Sequence, residues 1–240
     1  MEKAITSKLE LVKIDTHTHT SGISLCSSVP PKLLARAFKA KGINTIVLSN
    51  HYTQRQLYIY PNLDTLAAQY IEEYYVAKKA GQEAGVKVLF GAEVAIIDDF
   101  GYREFLLHGI TPGFLRSNAD LCMLTQKQLY KRCYDSDILM YQAHPFRVEH
   151  GQTPADPEYM DGVEINRHPF FDDRMDKVVK FAIKHNLGVS CGSDLHIITH
   201  AGSDGMYVAK SVISERTLAS YLSKNKMPKI FLDYKTKVQL

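Results

Sequence analysis

Cysteine is scarce in this sequence and never paired: Cys26, Cys122, Cys133 and Cys191 are scattered through 240 residues with no Cys-x-x-Cys. That spacing excludes a zinc ribbon and a disulfide framework, and three of the four read as small buried hydrophobes. No apolar run reaches membrane-spanning length, and Met1–Thr6 has no apolar stretch resembling a signal peptide, so a cytosolic protein with no membrane partner is expected. Long blocks of lysine and arginine are also missing. With a formal net charge of +3, nucleic acid is not demanded as an obligatory partner. There is neither a Gly-x-Ser-x-Gly elbow nor a glycine-rich phosphate loop, so no serine or cysteine nucleophile need be invoked.

Histidine is present, and it is placed. The apolar run Leu9–Ile14 ends in Asp15-Thr16-His17-Thr18-His19-Thr20. Strand side chains alternate, so His17 and His19 leave one face about 7 Å apart along the chain, and Asp15 shares that face as a partner able to orient a ligand from behind. The pattern then repeats. Apolar strand candidates at Asn44–Ser49, Val86–Phe90, Phe105–Ile110, Ile138–Gln142, Gly162–Asn166 and Leu187–Cys191 lead to His51, Glu93, His108, His144, His168, and Asp194 with His196. Between them lie helical stretches, notably 30–40, 63–84 (closed by Gly85), 125–134, 172–186 and 214–223. A short strand at 229–232 ends the series. Strand and helix alternating without a linker predict one α/β domain, residues 1–240, with parallel strands, and about seven units favour a barrel with its chemistry at the C-terminal ends of the strands.

At these residues the sequence resembles the PHP (polymerase and histidinol phosphatase) family of metal-dependent phosphoesterases. His17-Thr18-His19-Thr20, Ser49-Asn50-His51, Gly91-Ala92-Glu93, Ala143-His144-Pro145 and Gly192-Ser193-Asp194-Leu195-His196 match its motifs in order. The resemblance implies a distorted seven-stranded (β/α) barrel and a cluster of two or three divalent ions: zinc, manganese or iron. It assigns His17, His19, Glu93 and Asp194 to one ion, Glu93 with His144 and His108 to a second, and His51 with His196 to a third. Two departures stand out. Asn50 replaces the usual aspartate and cannot supply a carboxylate to an imidazole; Cys26 is the nearest ligand in the loop after His19, where a thiolate can bind zinc.

Two ions a few Å apart can activate a bridging water and clamp both oxygens of a phosphoryl transfer, so hydrolysis of a small phosphomonoester is expected. Asp194, Arg147 and His168 make up the expected catalytic set. Arg147 would grip phosphate oxygens, with Arg167 as a second choice; His168 or His200 would protonate the leaving oxygen. Glu164 is read as a support for a ligand or a structural carboxylate. The rival readings are a phosphodiesterase or exonuclease, a metal-dependent amidohydrolase, and a non-catalytic domain that its metals merely stabilise.

Overall fold

A computed structural model describes residues 10–98, 101–148, 151–166 and 174–232. Among the described residues eleven strands form two sheets. In the first, β1 (Leu11–Thr18), β2 (Thr45–Leu48) and β4 (Lys87–Phe90) are parallel; β10 (Asp204–Ala209) runs antiparallel to β1, and β11 (Ile230–Leu232) antiparallel to β10. The second has the order β3 (His51–Thr53), β5 (Glu93–Asp98), β6 (Gly101–His108), β7 (Leu139–Gln142), β8 (Gly162–Ile165), β9 (Gly188–Cys191).

The ladders do not close into the expected seven-stranded ring. β5 and β6 form an antiparallel hairpin, and β7 is antiparallel to β6. β1 meets the β9 segment of the other sheet instead through a bridge between Thr18 and Leu195, a hydrogen bond from His19 N to Leu195 O of 3.2 Å and one from Thr16 Oγ1 to Cys191 O of 3.0 Å. The sequence reading missed the hairpin because it ended the strand Val86–Phe90 with Glu93 at its exit, placed no strand at Glu93–Asp98, where β5 lies, and began the next strand at Phe105.

The helices follow their local signals. In α1 (Pro31–Ala40) a first-turn proline sets the start, and Leu34, Ala35 and Phe38 are buried. The 22-residue α2 (Leu63–Ala84) is capped by the Asn62 side chain and stopped by Gly85 at φ 71°. A six-residue α3 (Pro112–Ser117) is started by Thr111 and Pro112. Helices α4 (Gln126–Tyr134), α5 (Arg174–His185) and α6 (Glu215–Lys224) complete the set, α4 and α6 with capping boxes at Thr125 and Ser214.

Two glycines bring the strand ends together. A side chain at Gly91 would meet Val47 Cγ1 at 2.5 Å, and one at Gly192 would meet His17 Cβ at 2.5 Å and His17 N at 2.6 Å. Only an absent Cβ lets these segments pass so close to β2 and β1. No described helix is long and apolar enough to cross a membrane.

Candidate metal centre

The ends of β1, β5 and β7 and the segment after β9 converge on one buried group of polar side chains. His17 and His19 face each other with Nε2 atoms 2.9 Å apart, as period-two alternation predicts. Glu93, at the start of β5, reaches four rings: Oε1 is 3.1 Å from His144 Nε2 and 3.4 Å from His17 Nε2, and Oε2 is 2.6 Å from His51 Nδ1 and 3.6 Å from His19 Nε2. Asp194 Oδ1 lies 3.0 Å from His19 Nε2 and 3.4 Å from His17 Nε2. His196 Nε2 stands 3.4 Å from His51 Nε2, while its Nδ1 faces the Asp194 carbonyl at 2.9 Å. Two of these residues sit in the left-handed region, His144 at φ 31° and Asp194 at φ 50°. Strained backbone of this kind persists where the surroundings over-determine it. The pairing of Asp194 with His196 is therefore made by a strained loop and not by strand alternation.

Among the described residues three groups could each hold an ion: His17, His19 and Glu93; His19, His51 and His196; and His51, Glu93 and Glu104. Glu104 was absent from the sequence reading. It lies on β6, the strand that runs the other way, so a residue near its beginning reaches the centre. Glu104 Oε1 is 3.5 Å from His51 Nδ1 and Oε2 is 3.6 Å from His144 Nε2. Tyr102 Oη donates to Oε1, and Gln152 Nε2 donates to Oε2 at 3.0 Å. Burial first, then the charge of Glu93, raises its carboxyl to about 7.

The same reversal takes His108 out of the set. It ends β6 opposite Leu139, four residues beyond Glu104, or about 13 Å along a strand. Its ring meets Tyr141 edge-on at 5.1 Å; burial, then the charge of His17, lowers it to about 3. Cys26 lies exposed beside His51 and His196 of the second group and belongs to none of the three. Burial would raise its thiol, but hydrogen bonds with His196 and His51 outweigh this and bring it to about 6. Arg147 Nη2 is 2.9 Å from Asp194 Oδ2 and also donates to Asn166 Oδ1 at 2.9 Å, so the guanidinium braces a carboxylate of the centre. His200 lies near Asp194 and His196; Arg167 and His168 lie outside the described residues.

Hydrogen bonds behind the rings fix how they point. His17 Nδ1 is 2.9 Å from Glu164 Oε1, which turns Nε2 inward. Asp15 has a different task from the one expected: its Oδ1 accepts from the backbone of His17 and Ser193, tying β1 to the segment after β9. For His19 the hydrogen-bond inventory settles the tautomer. Ser24 Oγ accepts from His51 N at 3.0 Å and donates to Asn50 Oδ1 at 2.9 Å, and it stands 3.0 Å from His19 Nδ1. With its one proton given to Asn50, Ser24 must accept from His19 Nδ1–H, leaving the Nε2 lone pair for a ligand. Asn50 thus orients an imidazole through a serine.

This donor set fits divalent ions. Five imidazoles and three carboxylates approach one another at 2.6–3.6 Å, around the separation of about 3.0–3.4 Å that ligands of one ion take for bonds near 2.1 Å. Glu93 Oε2 and His51 Nδ1 approach closely yet neither makes a hydrogen bond. Mixed histidine and carboxylate donors suit zinc, manganese or iron. One consequence is measurable. Burial opposes a charge on His17, but Glu164, Glu93 and Asp194 outweigh it and raise its pKa well above 6.5. The ion-free ring therefore holds a proton at neutral pH that an ion must displace. Affinity is expected to rise with pH toward the raised His17 value. Calorimetric titration with zinc at pH 7, in two buffers of different ionisation enthalpy, is expected to show release of about one proton or more; enthalpies independent of buffer would contradict it.

No curated protein matches the chain. Among solved structures it is similar to PsfC from Pseudomonas syringae (TM-score 0.69, 15% identity, 94% of this chain and 93% of that one). It is also similar to a two-domain protein of Bacteroides vulgatus containing a predicted PHP-like metal-dependent phosphoesterase (TM-score 0.69, 15% identity, 93% of this chain). A third is the lesion-specific endonuclease PfuEndoQ of Pyrococcus furiosus (TM-score 0.62, 16% identity, 92% of this chain). The chain spans 65% of the Bacteroides protein and 58% of the endonuclease, and at these identities the likeness is one of fold. Residues 15–151, more than half of the chain and including every ligand candidate except Asp194 and His196, match the PHP domain, and the chain belongs to that family.

Proposed function

We propose that the protein is a metal-dependent phosphoesterase that hydrolyses a small phosphomonoester. One observation carries the reading: carboxylates and imidazoles from both sheets converge within ligand distance of one another at a centre sunk below the surface. Bound divalent ions would polarise the phosphoryl group and activate water at neutral pH. The chain's own work is orientation. Glu164 turns His17, Ser24 turns His19, Arg147 braces Asp194, and Tyr102 with Gln152 holds both oxygens of Glu104. Access favours a monoester over a polymer. His17, His19 and Glu93 are fully buried, and the centre meets solvent at the His51 and His196 side chains, each 20% exposed. A terminal phosphate fits such an opening better than the middle of a strand.

The test is metal content of the purified protein together with phosphate release from a panel of monoesters and a phosphodiester. Two or three ions per chain and monoester hydrolysis that vanishes in His17→Ala and Asp194→Ala would support the reading. Preference for the diester would move it to the nuclease class. Well-folded protein with no more than one ion and no phosphate release would overturn it.

A further inference from the structure

Arg147 is occupied by Asp194, and Arg103, on the far face of β6, pairs with Asp98. Arg55 differs from both. It is exposed, and its guanidinium lies 5.1 Å from the centroid of the Tyr102 ring, with no ion pair to it among the described residues. Tyr102 is two residues before Glu104 on the same face of β6, so it stands one step closer to the mouth of the centre, and its hydroxyl donates to Glu104.

Arg55 is also held from below. It sits in a short 3₁₀ helix, Gln54–Tyr58, that directly follows β3, His51–Thr53. Thr53 Oγ1 accepts from Arg55 N at 3.3 Å, Gln56 Oε1 accepts from Thr53 N at 2.9 Å, and buried Gln56 donates to Ile23 O at 3.1 Å. The backbone is thus pinned, the ring presets the guanidinium, and its donor edge is left for a ligand. Stacking on an aromatic face leaves the in-plane N–H groups of an arginine free to bind an anion. The cation stands back from the centre by the ring contact and the Tyr102–Glu104 hydrogen bond. A phosphoryl group at the ions would not reach it, but a second group on the same molecule would.

We propose that Arg55 receives a second anionic group, a carboxylate or a phosphate, on the substrate whose phosphate is cleaved at the centre. This selectivity rests on the phosphomonoester reading above. The probes are phenyl phosphate and 4-carboxyphenyl phosphate, which differ only in an anion about one ring away from the ester. With manganese-loaded protein, kcat/KM is expected to favour the carboxylated ester about tenfold, the size of one charge-assisted contact. Arg55→Gln should lose that preference at unchanged metal content, through KM more than kcat. Arg55→Lys should keep part of it, since the charge remains but the planar fork does not.

A preference equal in parent and Arg55→Gln, or no preference in the parent, would overturn the assignment while leaving the phosphomonoester reading intact. If neither ester is hydrolysed, the monoester panel and metal content decide that reading separately. Calorimetric binding of the two esters to the loaded protein then decides the Arg55 question without turnover. A tighter carboxylated ester whose advantage disappears in Arg55→Gln would support the assignment, and equal binding or none would overturn it.

Discussion

Replacing Glu93 with glutamine is expected to remove at least one ion per chain and to lower phosphomonoester hydrolysis by about a thousandfold or more. The reason lies in how many rings one carboxylate serves. Its two oxygens stand within 3.6 Å of ring nitrogens from His17, His19, His51 and His144, and it belongs to two of the three ion-holding groups. Glutamine keeps the size and one carbonyl oxygen but turns an amide donor toward nitrogens that offer lone pairs. It also removes a full negative charge from a fully buried position. Metal content by elemental analysis and hydrolysis of phenyl phosphate check the two halves separately. A Glu93→Gln protein that keeps its full complement of ions and hydrolyses within tenfold of the parent would remove Glu93 from the centre.

Glu164→Gln is expected to act in opposite directions on stability and on metal. Burial, partly offset by His17, raises the Glu164 carboxyl from 4.5 to about 7. An acid whose pKa is raised by folding destabilises the fold progressively as pH climbs from its unfolded value toward its folded one, here between about 4.5 and 7. Glutamine abolishes that loss and still accepts a hydrogen bond from His17 Nδ1, so the ion-free variant should melt higher than the parent at pH 8. Bound ions need the carboxylate. Without its charge behind the imidazole, His17 is a weaker and more loosely aimed ligand, and affinity should fall about 10- to 100-fold. Thermal melts of ion-free protein and competition titrations with a chelator measure the two effects. A fall in both would mean that Glu164 mainly holds the core together.

Most of the residues that the structure brings together at the candidate centre were legible, and the direction of the strands was not. His17 with His19, His51, Glu93, His144, Asp194 and His196 come together as short motifs because each immediately follows an apolar run, and such runs are easily seen. Helix α2 was legible to its ends, since Asn62 and Gly85 mark them chemically. His108 and Glu104 show the limit. Both lie on one face of β6, and which of them reaches the centre depends only on whether the chain turns back after β5. The pairing of Asp98 with Gly101 was hidden by reading Glu93 as the exit of β4. Asn50 shows a second limit. A departure from the family's aspartate looked like a missing support, but Ser24, 26 residues earlier in the chain, converts the amide into one. Side-chain relays across distant segments leave no periodic trace.

The antiparallel β6 also gives the protein a place to grow. Six paired positions from Glu93–Leu106 to Asp98–Gly101 fix the register of the hairpin, and the pairing runs from Glu93, in the ligand cluster, outward to Asp98. Lengthening that hairpin by one residue on each strand would raise the rim by about 3.4 Å without moving Glu93 or Glu104, because the pairs nearest the ions stay as they are. A wall that can be heightened independently of its footing lets substrate size be altered while the ligand set is kept.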